Sequence, residues 1–345
     1  MSLTIERPAS TPTDPPPGER RARPDAFADR SWRTIAIGLV NNMPDAAVAA
    51  TQRQFVRLIE EASGEHDVRL SLFALETLPR ADEARRAMAQ DYAPASALEG
   101  AQLDALVVTG AEPCAANLPD EPFWDELGFV LDWAAENTIS SLLSCLAAHA
   151  EVLRSYGVTR RPMANKRAGV YSFDVVTDHE LVRGLEPRYR APHSRWNDLD
   201  EAKLVENGYR VLGRSSECGV DLFVRKARSL LVFLQGHPEY EADTLAREHR
   251  RDLLRFLRGE SASAPNPPVN YYPPAAAAAV ANFAQRAMAA PEAAVAVGFP
   301  ISALSLIDEP WRQAGVQFVH NWLGLVARRK TARSAATFAV ARWGG

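Results

Sequence analysis

Apolar residues in this chain gather in short unbroken runs, separated by stretches with an apolar residue every three or four positions. That pattern predicts buried strands alternating with amphipathic helices. Thr34-Ile-Ala-Ile-Gly-Leu-Val40 is the first such run, β-rich and apolar enough to be covered on both faces. Asn41, Asn42 and Pro44 make a turn, and Ala46 to Ala62 has helical period, with Phe55, Leu58 and Ile59 on its inward side. Asp67 to Phe73 predicts a second strand and Leu103 to Thr109 a third, ending at Gly110. Phe123 to Glu136 predicts a helix carrying Trp124, Leu127, Leu131 and Trp133. A fourth strand from Thr138 through Leu143 then reaches Cys145 and passes directly into the helix-forming run Leu146 to Leu153. Strand and helix in alternation imply a doubly wound parallel sheet, in which ligands sit at the carboxyl ends of the strands.

The pattern changes after Gly169. Val170 to Val176, Tyr209 to Leu212, Val220 to Arg225 and Leu230 to Leu234 are short strands divided by turns, antiparallel in character. The last of them runs into Gln235-Gly-His-Pro-Glu-Tyr240, and Asp243 to Leu257 reads as a helix with a charged face. Residues 261–300 mix proline with alanine and predict a partly helical surface excursion. Trp311 to Val326 predicts a final helix, followed by a flexible basic tail over 329–345. Residues 1–32 are rich in Pro, Arg, Asp and Ser, show no periodic apolar face, and predict a disordered leader. The expected organisation is one α/β domain over 33–328, flavodoxin-like, with additional antiparallel strands.

Composition narrows the class. With 345 residues, 47% hydrophobic and 24% charged, the chain can bury a substantial core. A net charge of −4 argues against nucleic acid, and no run approaches the length of a membrane span. Three cysteines, Cys114, Cys145 and Cys218, have no metal-ligand spacing and fit a reducing, cytoplasmic setting. No bound metal or cofactor is expected.

Cys145 is the residue around which chemistry is expected. A cysteine at a sharp strand-to-helix turn stands above the sheet at the positive end of the next helix, and both features favour the nucleophilic thiolate. Its bland alternative is a small buried core residue. A thiol nucleophile needs a base braced by a third group. His237 and Glu239 are two apart at a strand end, where both side chains can point the same way, so the carboxylate can brace the imidazole. His149, one helical turn after Cys145, is the reserve base. His66, His179, His193, His249 and His320 read as surface or packing residues.

Cys145 to Ala150 together with Gly236-His-Pro-Glu-Tyr240 resembles the cysteine elbow and histidine–glutamate pair of class I glutamine amidotransferase-like proteins. Within that superfamily the sequence is most similar to the homoserine O-succinyltransferase (homoserine transsuccinylase) family. Asn42-Met-Pro44 with Thr51 to Leu58, Val108-Thr-Gly-Ala111 with Trp124 to Leu127, Ala191-Pro-His-Ser-Arg195, Asn270-Tyr-Tyr-Pro273, Trp311-Arg312 and Asn321-Trp-Leu323 all carry the likeness, from about Arg33 to Val326. The resemblance implies a two-step acyl transfer from an acyl-CoA co-substrate, through a thioester on Cys145, to the hydroxyl of homoserine, in methionine biosynthesis. It makes His237 the general base and Glu239 its orienting partner. Substrate contacts fall on Lys166, Ser194 and Arg251, the last as a grip for the amino acid carboxylate. The oxyanion hole falls on the backbone N–H groups near Leu146 and Ala111.

The chain also departs from the family's pattern. Leu146 and His149 stand where an aromatic residue and a glutamine are usual, and Asp45-Ala46 replaces a lysine-rich turn. A position whose Gly or Glu tracks succinyl or acetyl preference falls on or near Cys114; the absence of a repelling glutamate favours succinyl, with acetyl-CoA the other donor. Two alternatives share the scaffold: a glutamine amidotransferase-type amidohydrolase and a catalytically idle binding protein. The apolar C-terminal helix and the alanine-rich segment offer a homodimer contact.

Overall fold

The computed structural model describes residues 3–6, 34–290, 298–301, 304 and 307–343, with side chains up to 335. Strands β1 (Leu3–Glu6), β2 (Thr34–Val40), β3 (Asp67–Ala74), β4 (Tyr92–Pro94), β5 (Ala105–Val108) and β6 (Ser140–Ser144) precede the change in pattern. β7 (Arg161–Val175), β8 (Arg188–Asp198), β9 (Arg210–Val211), β10 (Gly213–Ser215), β11 (Gly219–Val220), β12 (Leu222–Lys226) and β13 (Leu230–Leu234) follow it. The main helices are α1 (Val48–Ala62), α2 (Asp82–Met88), α3 (Trp124–Asn137), α4 (Leu146–Tyr156), α5 (Glu201–Glu206), α6 (Thr244–Leu257), α7 (Pro274–Ala289) and α8 (Arg312–Trp343).

The larger sheet runs β1-β3-β2-β5-β6-β13-β12-β9, with β4 beside β3. Its centre, β3-β2-β5-β6-β13, is parallel throughout and has the flavodoxin-like order 2-1-3-4-5. β12 and β9 extend it antiparallel, and β11-β10-β7-β8 form a second, antiparallel sheet.

Why the central runs are unbroken is visible in their burial. Alternate residues face opposite sides of a strand. Ile35, Ile37, Leu39, Val107, Leu142 and Val232 enter one core with α1 and Trp322 of α8. Val108, Leu106, Leu143 and Phe233 enter the other with α3 and α4. Gly38 is needed at the centre, where a Cβ would stand 2.6 Å from Leu106.

Several boundaries differ from expectation. Leu3–Glu6 lies within the expected leader yet pairs with β3, from Leu3 opposite Val68 to Glu6 opposite Ser71, because an edge strand needs only one apolar contact face; residues 7–33 lie outside the described residues. The helix expected to end near Val326 continues through the basic tail. Two of its cations are anchored: Lys330 donates to Thr34 O and Asp104 Oδ2, both at 2.7 Å, and Arg329 pairs with Glu180 at 3.4 Å. β7 is far longer than the expected Val170 to Val176, and its partner β8, which carries Ala191-Pro-His-Ser-Arg195, has too little alternation to predict from pattern. The alanine-rich excursion contains helix α7, and residues 291–297 lie outside the described residues.

Candidate active site

Two adjacent parallel strands bring the expected pair together. β6 and β13 are in register with Ser144 opposite Leu234, so Cys145 and the Gln235–Glu239 turn leave the sheet at the same edge. Cys145 N–H donates to Leu234 O at 2.7 Å, which ties the elbow to the neighbouring strand. Cys145 is the single residue between β6 and α4, with φ 51° and ψ −111°. That backbone is strained for a residue with a side chain, by about 1–3 kcal/mol, and such strain points the thiol away from the sheet. Gly110, at the end of β5, makes room for it: a Cβ there would lie 3.2 Å from Cys145 Cβ and 3.4 Å from Leu146 N. Leu146 N–H belongs to the first turn of α4, whose N–H groups lack intrahelical partners.

His237 Nδ1 lies 2.8 Å from Glu239 Oε1, and the imidazole stacks on Tyr240 with ring centroids 4.3 Å apart. Its Nε2 is buried and makes no hydrogen bond. Burial lowers the pKa of His237, but the Glu239 carboxylate and the Cys145 sulfur outweigh it and raise the imidazole well above its ordinary value. The imidazole of this corner therefore favours its charged form.

The turn beneath His237 is held from behind. Asp221 accepts from Gly236 N–H at 2.9 Å and from Tyr189 Oη–H at 2.7 Å, and its other contact is His193 Nε2 at 3.2 Å. A Cβ on Gly236 would stand 2.6 Å from Asp221 Oδ1, so only glycine fits. His237 N–H donates to Pro192 O at 2.9 Å, which docks the turn on β8.

Facing the sulfur across a pocket of about 360 Å3 is a charged wall built from β7, β8 and α6. Glu248 is its hub. Lys166 Nζ reaches it at 3.1 Å, Tyr240 Oη–H donates to it at 2.6 Å, and Ser194 Oγ–H donates to the same carboxylate. Burial works to raise the pKa of Glu248, yet Lys166, Ser194 and Tyr240 bring it down to about 2. Lys166 also contacts Asp252 at 2.7 Å, and Arg251 contacts Asp252 at 2.9 Å. Among the described residues no group of three or more His, Cys, Asp or Glu side chains has the arrangement of a metal site, and no helix is long and apolar enough to cross a membrane.

The profile of the homoserine O-succinyltransferase family matches residues 21–333. The chain belongs to that family. A homoserine O-succinyltransferase from Methylorubrum extorquens is 48% identical over 88% of this chain and 91% of its own length. One from Rhodopseudomonas palustris is 47% identical over 79% of this chain and 82% of its own, and one from Bradyrhizobium japonicum 41% identical over 90% and 98%. Among solved structures, a glutamine amidotransferase from Methylobacillus flagellatus aligns with a TM-score of 0.48 at 11% identity, over 86% of this chain and 95% of that one.

Of the positions that the family resemblance singles out, Cys145, Leu146, Ala111, Lys166, Ser194, His237 and Arg251 line the one pocket, and Glu239 stands directly behind His237. Cys114 does not join them. It is exposed on the turn after Gly110, outside the pocket wall, with its N–H held by Glu121 at 3.2 Å. Beside Ala111, Glu112 and Pro113 of that turn line the pocket, and the Glu112 carboxylate lies 2.5 Å from Arg255.

His149 also lines the pocket, as its place one helical turn after Cys145 predicts, but its ring is engaged away from the sulfur. Its Nε2–H donates to Gln235 Oε1 at 2.8 Å, and burial pushes its pKa down to about 4. Sequence reasoning missed Glu248 and the Asp221–His193 support. Glu248, Arg251, Asp252 and Arg255 recur at helical spacing, so one charged face of α6 signalled the wall; nothing local in sequence signalled Asp221.

Proposed function

We propose that this chain transfers a succinyl group from succinyl-CoA to the hydroxyl of homoserine through a thioester on Cys145, with acetyl-CoA as the weaker donor. Membership in a family of acyltransferases supports it, and one observation carries it: a strained thiol and a Glu239-braced imidazole share a pocket with a wall of fixed charges.

In the first half-reaction the Cys145 proton resides on His237 Nε2, and the thiolate attacks the thioester carbonyl of the acyl-CoA. The tetrahedral oxyanion takes hydrogen bonds from the N–H groups of Leu146 and Ala111, each worth about 3 kcal/mol in the transition state. Collapse breaks the bond to CoA, which leaves as a thiol with the proton from His237. In the second half-reaction the homoserine hydroxyl gives its proton to His237 as its oxygen attacks the Cys145 thioester. Collapse expels the Cys145 thiolate and leaves O-succinylhomoserine, a precursor for methionine synthesis. Glu239 holds the imidazole with Nδ1 protonated and Nε2 toward the sulfur. Arg251 grips the amino acid carboxylate, and Lys166 and Ser194, both fixed by Glu248, line the acceptor side.

Incubation with radiolabelled succinyl-CoA and no acceptor should leave label on the wild-type protein and none on Cys145→Ala, which should also lose transfer by several orders of magnitude. An active enzyme that carries no label at any time during turnover would overturn the thioester route. A matrix of succinyl-CoA and acetyl-CoA against homoserine and serine, read by CoA release, should show succinyl-CoA with homoserine as the fastest pair.

A further inference from the structure

Five arginine and lysine side chains line the pocket: Arg160, Lys166, Arg195, Arg251 and Arg255. Four of them are neutralised in place. Lys166 lies 2.7 Å from Asp252, Arg195 2.8 Å from Asp198, Arg251 2.9 Å from Asp252 and Arg255 2.5 Å from Glu112. Arg160 is different. Among the described residues no carboxylate lies within ion-pair distance of it, and its one hydrogen bond is a long contact of 3.5 Å to the carbonyl of Ala116. The acid whose charge acts on it, Glu121, accepts from the N–H groups of Cys114 and Ala115. Half-burial disfavours the charge on Arg160, while Glu121 and the Cys145 sulfur support it, so the guanidinium is within electrostatic reach of the nucleophile.

A half-buried guanidinium without an anion is costly to keep, and it selects ligands that supply one. Of the anionic groups in the proposed reaction, the amino acid carboxylate already has Arg251 on the α6 wall, and the phosphates of CoA lie a whole pantetheine arm away from the carbonyl that Cys145 attacks. What remains close to the sulfur, in the pocket that Arg160 and Cys145 share, is the acyl chain itself, whose free carboxylate in a succinyl group extends beyond the carbon bonded to sulfur. Arg160 directly precedes β7 and contacts the turn after β5, the same turn that carries Ala111. It therefore lies on the elbow's side of the pocket.

We propose that Arg160 is the subsite for the distal carboxylate of the acyl group carried on Cys145, and so a determinant of donor choice. The inference rests on the thioester reading above. It also moves selectivity off Cys114, which has no face in the pocket, and it explains why Glu112 is compatible with an anionic donor: Arg255 already neutralises it.

The test is single-turnover acylation of Cys145, followed by intact-protein mass, with succinyl-CoA and with its methyl ester, in which the distal carboxylate is capped. Wild type should prefer the free acid, and in Arg160→Met that preference should fall roughly 10- to 100-fold, the range for losing a charged hydrogen bond. Arg160→Lys should recover part of it. If Arg160→Met does not fold, Arg160→Gln and the wild-type comparison of the two donors carry the test. A wild type that acylates equally with both donors overturns the subsite, as does a preference unchanged in the Met or Gln variant. A wild type acylated by neither donor overturns the thioester reading instead, and the subsite with it.

Discussion

The two sides of the pocket are built on different principles. On one side, Cys145 and His237 are brought together by backbone topology: adjacent parallel strands, in register, end at the same edge. On the other, Lys166, Ser194, Arg251 and Asp252 are brought together by side chains that converge on Glu248 or its neighbours from β7, β8 and α6. The first side is over-determined, since strain at Cys145 persists only where the surrounding sheet enforces it. The second is a network of charges whose members hold each other, so removing one leaves the rest unpaired. Damage should therefore spread differently on the two sides.

The sharpest way to separate them is at His237. His237→Gln removes the proposed base while β13 and β8 still fix the turn, so the loss should be confined to chemistry. A fall in kcat of about 10²–10⁴-fold is expected, with little change in thermal stability and with succinyl-CoA still bound. Equal loss in stability would show that this side is a packing unit first.

Glu248→Gln probes the opposite wall and should break binding and stability together. Lys166 loses one carboxylate partner, and kcat/KM for homoserine should fall by about 10- to 100-fold, an effect of the size seen on breaking a buried charged contact. The pH profile gives an independent reading. Glu248 has a folded pKa of about 2 against an ordinary 4.5, so its stabilisation is fully present above 4.5 and is lost as pH falls toward 2. Denaturation midpoints of the variant should lack that part of the acid-side decline. A variant with the wild-type acid slope would mean that Glu248 is no hub.

The same contrast explains what could be read from sequence. The bounds of Thr34–Val40 and Leu230–Leu234 were legible to the residue because strands buried on both faces need unbroken apolar runs, but Leu230–Leu234, expected to be antiparallel in character, runs parallel to β6 and antiparallel only to β12. Cys145 was legible because a cysteine between such a run and a helix has few other places to be. β8 was not, since Arg188 to Asp198 mixes buried histidine and arginine with exposed tryptophan; its polar residues are buried because Asp221 and Glu248 reach it from elsewhere and Asp198 pairs with Arg195 within the strand. The roles of Lys166, Ser194 and Arg251 came from family resemblance alone. The charged face of α6 carries their carboxylate partners, but that Lys166 and Ser194 converge on Glu248 from β7 and β8 is a three-dimensional fact that no local pattern encodes. The tail failed for a related reason: Lys330 and Arg329 look solvated in sequence but are tied to the sheet and to Glu180.

The smallest effect should come from His149, which tests whether closeness to the sulfur in sequence means anything for catalysis. Its Nε2–H is committed to Gln235 Oε1, and the Gln235 amide donates in turn to Val220 O at 2.6 Å. His149→Gln should therefore lower kcat by less than about tenfold, below the hundredfold or more that losing a general base brings. The variant should differ mainly in its stability at mildly acid pH. His149 has a folded pKa of about 4 against 6.5, so between those values the unfolded chain binds a proton that the folded chain does not. Wild type should lose stability as pH falls from 6.5 toward 4, and the variant should lose less. A collapse of activity equal to that of His237→Gln would instead make both histidines part of one proton path and erase the distinction between a corner set by topology and the groups packed behind it.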